Sequence, residues 1–148
     1  MATEPISLRP AGRDDTEFLF KVYRLAHGAE LGQHEQLLRM QFQARNNQYS
    51  SQYPGADNDV IMQGDKPIGY LCALRGPESF VLIDIALLPD CQGAGTGSQL
   101  VGELIAIAAV ANKPLRANVL KNSPAWHLWQ RLGFRQISDD GVFLGIEI

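Results

Sequence analysis

The sequence predicts one α+β domain in which helices flank a mixed, mostly antiparallel central sheet. Its length of 148 residues is typical of a single globular domain. Hydrophobic residues make up 45% of the chain and charged residues 20%, which is enough apolar material to bury a core. Short apolar runs alternate with segments of helical periodicity, in the order β-α-α-β-β-β-α-β-α-β-β. Because no internal repeat, low-complexity tract or linker interrupts this order, residues 1–148 are expected to form one domain.

Periodicity and capping signals predict the first strand and two helices. Residues 6–10 alternate like a short strand. Asp14 or Asp15 then provides an N-cap for a helix that Gly28 stops. A second helix follows Gly32, and its apolar positions are interleaved with glutamine and arginine. We expect this helix to cover the core and also to expose a glutamine-rich face.

Residues 46–58 have the composition of a loop, because two tyrosines, a proline and a glycine stand there among small polar residues. Three strands follow, separated by turns that contain glycine and proline, over residues 60–62, 68–74 and 80–88. The third of them is apolar at almost every position. This pattern predicts a central strand that is covered on both faces.

The rest of the chain alternates between helices and strands. The predicted elements are a helix over 98–111, a strand over 114–119, a helix over 123–132, and strands over 135–137 and 142–148. The first of these helices has a wide apolar band and is expected to pack on the core. The last strand is apolar enough to pair across a possible homodimer, or it completes its own sheet.

Charge and hydropathy exclude several classes of partner. Thirteen lysines and arginines against sixteen acidic residues give a formal net charge of -3, which does not suit a phosphate backbone, so no nucleic acid is expected. The longest apolar stretch, residues 104–111, has eight residues, far fewer than the roughly 20 that cross a bilayer. The N-terminus lacks the pattern of a secretory signal. We therefore expect a cytoplasmic protein that has no membrane partner.

The cysteines and histidines do not predict a metal site. Cys72 and Cys91 are isolated thiols that we expect to be reduced. His27, His34 and His127 do not join them at any spacing that metal ligands use.

The most informative stretch is 89–98, where three glycines in five residues separate an apolar strand from a strong helix. Glycines allow positive φ, so amide hydrogens can converge on a phosphate or pyrophosphate at the positive end of the helix dipole. A P-loop would need lysine after Gly97, and a dinucleotide fingerprint would need glycine or alanine where Ser98 stands. ATP hydrolysis and NAD binding are therefore disfavoured. The remaining alternative is a turn that only connects strand to helix.

The sequence Gln-x-x-Gly-x-Gly at 92–97 resembles the Gln/Arg-x-x-Gly-x-Gly/Ala signature of the GNAT acyltransferases, which bind acetyl-coenzyme A (acetyl-CoA). The apolar strand before it is similar to the strand that precedes this signature in the family. Leu-Gly-Phe at 132–134 resembles the tripeptide that follows the family's last helix. The likeness in element order extends from the first strand to the C-terminus, and the segments 40–44 and 53–54 are similar to one bacterial branch of the family.

This resemblance implies a set of cofactor-binding residues. The main chain of Ile85, Ala86 and Leu87 would pair with the pantetheine arm as if it were an added strand. The pyrophosphate would be held by Gln92, Gly93, Ala94, Gly95, Thr96 and Gly97.

The chain departs from the family pattern after its fifth strand. Family members usually carry an asparagine there and a tyrosine one or two turns later. In this chain the asparagine position falls on Ser123, with Asn122 one position earlier, and Trp129 stands in the tyrosine position. The resemblance implies that all three contribute to cofactor binding.

The resemblance also implies an N-acetyltransferase that moves the acetyl group of acetyl-CoA to a primary amine by direct attack in a ternary complex. The amide of Leu87 is the candidate donor to the oxyanion that this attack creates. Because tryptophan cannot donate the proton that tyrosine would, we expect water or the Ser123 hydroxyl to assist the departing thiolate. Asp84 is the candidate acceptor for the proton of the amine. Alternatively, Asp84 is a buried acid that pairs with Arg75 or Arg9.

Glu35, Tyr49, Tyr53 and the glutamine-rich helix face are expected to line the acceptor pocket, unless they form only a solvated helix and a loop. The implied partner is a small-molecule or peptide amine. Because the tyrosine is missing, a non-catalytic acyl-CoA binding or sensing module is an alternative function. A structural domain whose glycine-rich turn binds nothing is a third.

Overall fold

The computed structural model describes residues 4–27 and 34–148 and confirms the predicted order of elements. The helices are α1 (Thr16–His27), α2 (Glu35–Gln52), α3 (Thr96–Val110) and α4 (Pro124–Leu132). The strands are β1 (Ile6–Pro10), β2 (Asp57–Gln63), β3 (Lys66–Arg75), β4 (Phe80–Leu87), β5 (Leu115–Leu120), β6 (Arg135–Asp139) and β7 (Phe143–Glu147). No helix among the described residues combines the length and the hydrophobicity that a membrane span needs.

The seven strands follow the order β1-β2-β3-β4-β5-β7-β6, so β4 is central, as its sequence predicts. The pairs β1–β2, β5–β7 and β6–β7 are antiparallel. The pair β4–β5 is parallel and joins Phe80–Leu82 to residues 115–117. The fold is therefore α+β with a mostly antiparallel sheet, which confirms the predicted class.

The backbone contacts divide the chain into two compact units. Unit 1 contains the described residues up to Cys72 together with Asp84–Thr96, and unit 2 contains Ala73–Ile83 and Gly97–Ile148. The boundaries fall inside β3 and β4 and inside the first turn of α3. One domain over residues 1–148 stays a prediction.

The two helices of unit 1 pack through aromatic side chains. Phe20 of α1 and Phe42 of α2 lie with their ring centroids 5.7 Å apart, and Tyr23 lies 5.1 Å from Phe42. Leu38 completes this cluster. On β2, the side chains of Val60 and Ile61 are fully buried. Burial of such side chains provides the main driving force for folding in this unit.

The predicted loop over residues 46–58 is wrong for its first seven residues, because α2 continues to Gln52. Asparagine, serine and glutamine are only modestly poorer helix formers than alanine, so contacts elsewhere in the fold can override them. Arg45 makes such a contact with Asp84, and Tyr49 lies against Arg45, so both continue the face of α2 on which Leu38 and Phe42 are buried. Gly55, at φ +84°, follows the end of the helix.

At the start of α1, Asp15 occupies the position before the helix and belongs to a single 3-10 turn over Arg13–Asp15. Its carboxylate turns back, accepting a hydrogen bond from the Gly12 N–H (2.7 Å) and pairing with Arg9 (2.8 Å). The predicted signals at Gly28 and Gly32 lie outside the described residues.

In unit 2, β5 buries alternate side chains, as a half-covered strand does. Leu115, Ala117 and Val119 are buried and the residues between them are exposed. Helix α3 starts at Thr96, two residues earlier than predicted. Its buried residues recur at helical spacing and are Leu100, Val101, Leu104 and Ala108.

Strand β7 lies between β5 and β6 and pairs with both of them. Both of its edges are therefore used inside unit 2. Of the two alternatives for residues 142–148, the structure shows the second, because the strand completes its own sheet.

Candidate functional site

The second half of β4 leads into the glycine-rich turn through a short 3-10 turn, Pro89–Cys91, within unit 1. The Cys91 N–H donates to the Leu88 carbonyl (2.9 Å), and the Gln92 side chain donates Nε2–H to the Leu87 carbonyl (3.1 Å). Gln92 thus ties the start of the turn to the end of β4.

The glycines of the turn adopt the conformations that their sequence predicts. Gly93 and Gly95 have φ of +81° and +84°, in the left-handed region that favours glycine. A Cβ added to Gly93, Gly95 or Gly97 would meet no heavy atom within 4 Å, so the space beside each glycine is open. Helix α3 starts at Thr96, and the first amides of a helix have no partner within it. This combination fits a diphosphate group.

Gly69 of β3 allows the backbones of β3 and β4 to approach closely. A Cβ at this position would collide with the carbonyl oxygen of Ala86 and would lie 3.0 Å from the Cα of Leu87. The next contact along β4 is the Leu88 N–H, which donates to the Ile68 carbonyl (2.8 Å). Gly69 was not predicted from the sequence, although an isolated glycine in a strand is a known signal of close backbone approach.

Asp84 of β4 forms an ion pair with Arg45 of α2, between Oδ2 and Nη2. The Tyr70 hydroxyl of β3 donates a second hydrogen bond to the same oxygen, at 3.0 Å. The Arg45 and Asp84 side chains are only 15% and 21% exposed. The partners expected for this acid, Arg9 and Arg75, are therefore wrong; Arg9 pairs with Asp15.

Aromatic rings surround the guanidinium of Arg45. Its Cζ lies 4.8 Å from the ring centroid of Tyr49, 5.1 Å from Tyr70, 5.5 Å from Tyr23 and 5.8 Å from Phe42. Cation–π attraction adds to the ion pair at such distances. These side chains form a cluster around Asp84 that joins α1, α2, β3 and β4 within unit 1. Its members are Tyr23, Phe42, Arg45, Tyr49, Tyr70 and Asp84.

The cluster changes the acidities of its members. Burial raises the pKa of Tyr70, and the Asp84 carboxylate raises it further. Burial also raises the pKa of Tyr49. Burial acts to lower the pKa of Arg45, but Tyr70 and Asp84 outweigh this effect and raise it. Near neutral pH, Arg45 is therefore a cation among neutral phenols, and it lies against the Asp84 carboxylate.

A sequence signal for Arg45 exists. Leu38, Phe42, Arg45 and Tyr49 follow one another at intervals of four, three and four residues, so they share one face of α2. A cation on an otherwise buried stripe needs a buried partner. Asp84 is a carboxylate in an apolar strand, so it needs a cation as its partner for the same reason.

The three predicted acceptor residues lie at two ends of α2. Tyr49 and Tyr53 are neighbours, with ring centroids 6.4 Å apart. Glu35 is the first residue of the helix and pairs with Arg39 at 3.6 Å. At 1.5 Å per residue, Glu35 lies roughly 21 Å along the helix from Tyr49, so the structure does not bring it to the tyrosines.

The other predicted cofactor residues belong to unit 2. Asn122 is exposed and has φ of +66°. Ser123 is the N-cap of α4, and its Oγ accepts the Trp126 N–H at 3.3 Å. Trp129 is buried, and its ring centroid lies 6.4 Å from that of Phe134. Gly133, in the left-handed region, ends α4 and thereby accounts for the glycine of the Leu-Gly-Phe tripeptide.

Cys72 is buried and Cys91 is half-buried, and both are free thiols. Burial raises the pKa of Cys72 to about 11, which leaves it protonated at neutral pH. In the part of the chain that the structure describes, no three or more His, Cys, Asp or Glu residues are grouped so that they could hold a metal ion.

Comparison with known structures identifies similar folds along nearly the whole chain. An acetyltransferase from Thermus thermophilus has a TM-score of 0.75 and 24% identity, covering 100% of this chain and 99% of its own. PaiA N-acetyltransferase from Thermoplasma acidophilum, crystallised in complex with coenzyme A, has a TM-score of 0.74 and 18% identity, covering 97% and 98%. FdhC, a nucleotide-linked sugar GNAT, has a TM-score of 0.67 and 14% identity, covering 100% and 88%.

No curated protein matches the sequence. The model of the acetyltransferase (GNAT) family, however, matches residues 17–134, which is most of the chain and includes the cluster around Asp84 and the glycine-rich turn. The chain therefore belongs to the GNAT family of acetyltransferases, enzymes that use acetyl-CoA.

Proposed function

We propose that this protein is an N-acetyltransferase that moves the acetyl group of acetyl-CoA to a primary amine by direct attack in a ternary complex. The observation that carries the proposal is the glycine-rich turn, whose positive-φ glycines and open space precede the amides at the start of α3. Gln92, Gly93, Ala94, Gly95, Thr96 and Gly97 would hold the diphosphate. Backbone donors at a helix N-terminus bind this group without a strongly basic pocket, which suits an acidic protein.

The main chain of Ile85, Ala86 and Leu87 would bind the pantetheine arm. The parallel ladder with β5 ends at Leu82, and β4 continues to Leu87 beyond it. An arm that carries amide groups can add to such a backbone as a further strand does. Acetyl-CoA supplies an activated acyl group when it is bound there.

The N–H of Leu87 would stabilise the oxyanion. The peptide unit that carries this N–H also contains the Ala86 carbonyl, which lies closely against Gly69 of β3. A backbone donor held in one orientation stabilises developing charge without reorganising during the reaction. The close approach of β3 and β4 at Gly69 therefore makes the Leu87 amide suited to this role.

Asp84 would accept the proton of the incoming amine. A lysine-like amine has a pKa of about 10.4 and arrives protonated, so a base must take its proton before attack. Arg45 and Tyr70 both bind Oδ2 of Asp84, so the oxygen that faces an amine would be Oδ1. Tyr49 and Tyr53 would line the acceptor pocket at the same end of α2.

Ser123, Asn122 and Trp129 would contribute the remaining cofactor contacts. The Ser123 Oγ accepts a hydrogen bond as the cap of α4, and its hydroxyl proton can still be donated. Ser123 or water would therefore assist the departing thiolate. Trp129 is buried against Phe134 and would support the site by packing.

The experiment is thiol release from acetyl-CoA in the presence of polyamines, aminoglycosides, lysine peptides and peptides with free N-termini. We expect release above background hydrolysis with at least one of these primary amines, and a saturable heat of coenzyme A binding by calorimetry. Binding of coenzyme A without turnover on any amine would contradict amine acetylation and would favour an acyl-CoA sensing module. Absence of binding by folded protein would contradict the proposed role of the glycine-rich turn.

A cytoplasmic location is also part of the proposal, because the reaction needs acetyl-CoA. Cell fractionation with an antibody to the chain tests it. Recovery in the membrane or secreted fraction would contradict it. A homodimer through another surface is tested by sedimentation.

A further inference from the structure

One charged group, the guanidinium of Arg45, dominates the electrostatic environment of Asp84. The titratable groups that face the cluster are Arg45 and Tyr49 of α2, Tyr70 and Cys72 of β3, Tyr23 of α1, and Asp59 of β2, whose charge acts on Cys72. Burial raises the pKa of Tyr49, Tyr70 and Cys72, so these groups are neutral near pH 7. Within this set, Arg45 is the group that carries a positive charge.

Arg45 is held in place by its own contacts. Its Nη1 donates to the Asn46 side-chain oxygen at 2.9 Å, and its Nη2 meets Oδ2 of Asp84. The ring of Tyr49, one turn further along α2, lies against the guanidinium. The arginine is therefore a preorganised counter-ion rather than a flexible surface side chain.

We infer that Arg45 is a positioning residue, which is the counter-ion of Asp84 and orients its carboxylate so that it can accept the proton of the acceptor amine. This inference rests on the proposed role of Asp84. A carboxylate that loses its counter-ion in partly buried surroundings takes up a proton at a higher pH. Loss of Arg45 should therefore move the pH range in which Asp84 can accept a proton to higher pH. Loss of the Tyr70 hydroxyl should move it in the same direction by a smaller amount.

The direct test is a carbon-13 NMR titration of the Asp84 carboxyl in the whole protein, assigned with Asp84→Asn. We expect Arg45→Met to move the titration midpoint upward by at least one pH unit. Arg45→Lys keeps the charge and should remove at least half of this movement. Tyr70→Phe keeps the ring and should move the midpoint upward by a smaller amount, so it provides the test if Arg45→Met does not fold.

The kinetic test measures kcat/KM against pH with the best primary amine of the panel. The acid limb is the part of the profile in which kcat/KM falls as the pH decreases. In Arg45→Met, this limb should move to higher pH by the same amount as the carboxyl titration, while the KM for acetyl-CoA changes less than twofold. Arg39→Met is the matched control. Arg39 lies on the same helix and also carries a ring contact, 4.2 Å from Phe20, but it pairs with Glu17. It should leave the limb in place.

The outcomes separate the inference from the proposed function. If Asp84→Asn folds and keeps the wild-type pH profile, Asp84 is not the proton acceptor and its proposed role is wrong. If Asp84→Asn removes the acid limb while Arg45→Met, Arg45→Lys and Tyr70→Phe all leave it unmoved, the inference about Arg45 is overturned and the role of Asp84 stands. A fall in kcat at every pH without movement of the limb would show that Arg45 is only structural.

Discussion

The guanidinium of Arg45 and the carboxylate of Asp84 meet across 39 positions of sequence, joining helix α2 to the central strand β4. Each side chain lies on an otherwise apolar surface of its own element, so each would be costly to bury alone. Together they place one carboxylate of fixed orientation two residues before Ala86. The ion pair thus connects helix α2, which carries Tyr49, to strand β4, and we propose that the main chain of β4 binds the cofactor.

Gly97→Glu should weaken coenzyme A binding without unfolding the protein. The new side chain enters open space in the first turn of α3, where the helix dipole tolerates a negative charge. A diphosphate bound there would be repelled, and we expect at least a tenfold loss of affinity, about 1.4 kcal/mol, by calorimetry. Gly102→Glu is the control, because Gly102 also has open space on α3. Equal affinities for the two variants would contradict the proposed diphosphate site.

Gly69→Ala should destabilise the fold. The added methyl group would collide with the carbonyl of Ala86 and crowd Leu87, so β3 and β4 must separate locally. Overpacking of this kind costs about 1–3 kcal/mol, which urea unfolding can measure. Gly102→Ala, in the middle of α3, should instead stabilise by about 0.5–1 kcal/mol. An unchanged unfolding midpoint for Gly69→Ala would contradict this prediction and would show that β3 and β4 can accommodate the added methyl group.

Asp15→Asn should remove part of the acid sensitivity of the protein. The hydrogen bonds from Arg9 and the Gly12 N–H lower the pKa of Asp15 to about 2. Because this value is below the unfolded value of about 3.9, the contribution of Asp15 is present above pH 4 and is lost as the pH falls toward 2. The melting temperatures of the wild type and of Asp15→Asn, measured between pH 2 and 6, should therefore differ most at the upper end of this range. Asp14→Asn is the neighbouring control, and identical curves for the two variants would refute the assignment.

Substitutions at Ser123 should separate the cap of α4 from proton donation. Ser123→Asp keeps an N-cap oxygen but removes the hydroxyl, whereas Ser123→Ala removes both. We expect Ser123→Ala alone to lose stability, by about 1 kcal/mol, and both variants to slow thiol release. Chemical denaturation and single-turnover kinetics measure the two effects. If Ser123→Asp releases thiol at the wild-type rate, water rather than this hydroxyl assists the departing thiolate.

Local patterns in the sequence were sufficient to predict most of the elements. The alternation of Leu115, Ala117 and Val119 predicts a half-buried strand, and the glycines at 93 and 95 predict the positive φ that the structure shows. These features depend on neighbours in the chain, which a single sequence displays directly.

Contacts between distant segments could not be predicted in the same way. Residues 46–52 resemble a loop in composition, and the helix extends through them because Arg45 pairs with Asp84 of β4 and Tyr49 lies against Arg45. The expected partners of Asp84, Arg9 and Arg75, belong to strands, whereas its partner in the structure, Arg45, belongs to a helix. The position of Arg45 on a buried stripe signals that it needs a partner, but the packing of α2 on the sheet determines that this partner is Asp84.

The interior position of β7 affects how the protein is made. A ribosome synthesises β6 before β7, yet β7 lies between β5 and β6. Until β7 has emerged from the exit tunnel, one edge of β5 lacks its partner and β6 has no partner in the sheet, so nascent chains that stall at this stage expose unpaired strand edges to aggregation. This part of the sheet can therefore close only after β7 has been synthesised. Chaperone dependence should be greatest for translation products that stop between Asp139 and Phe143.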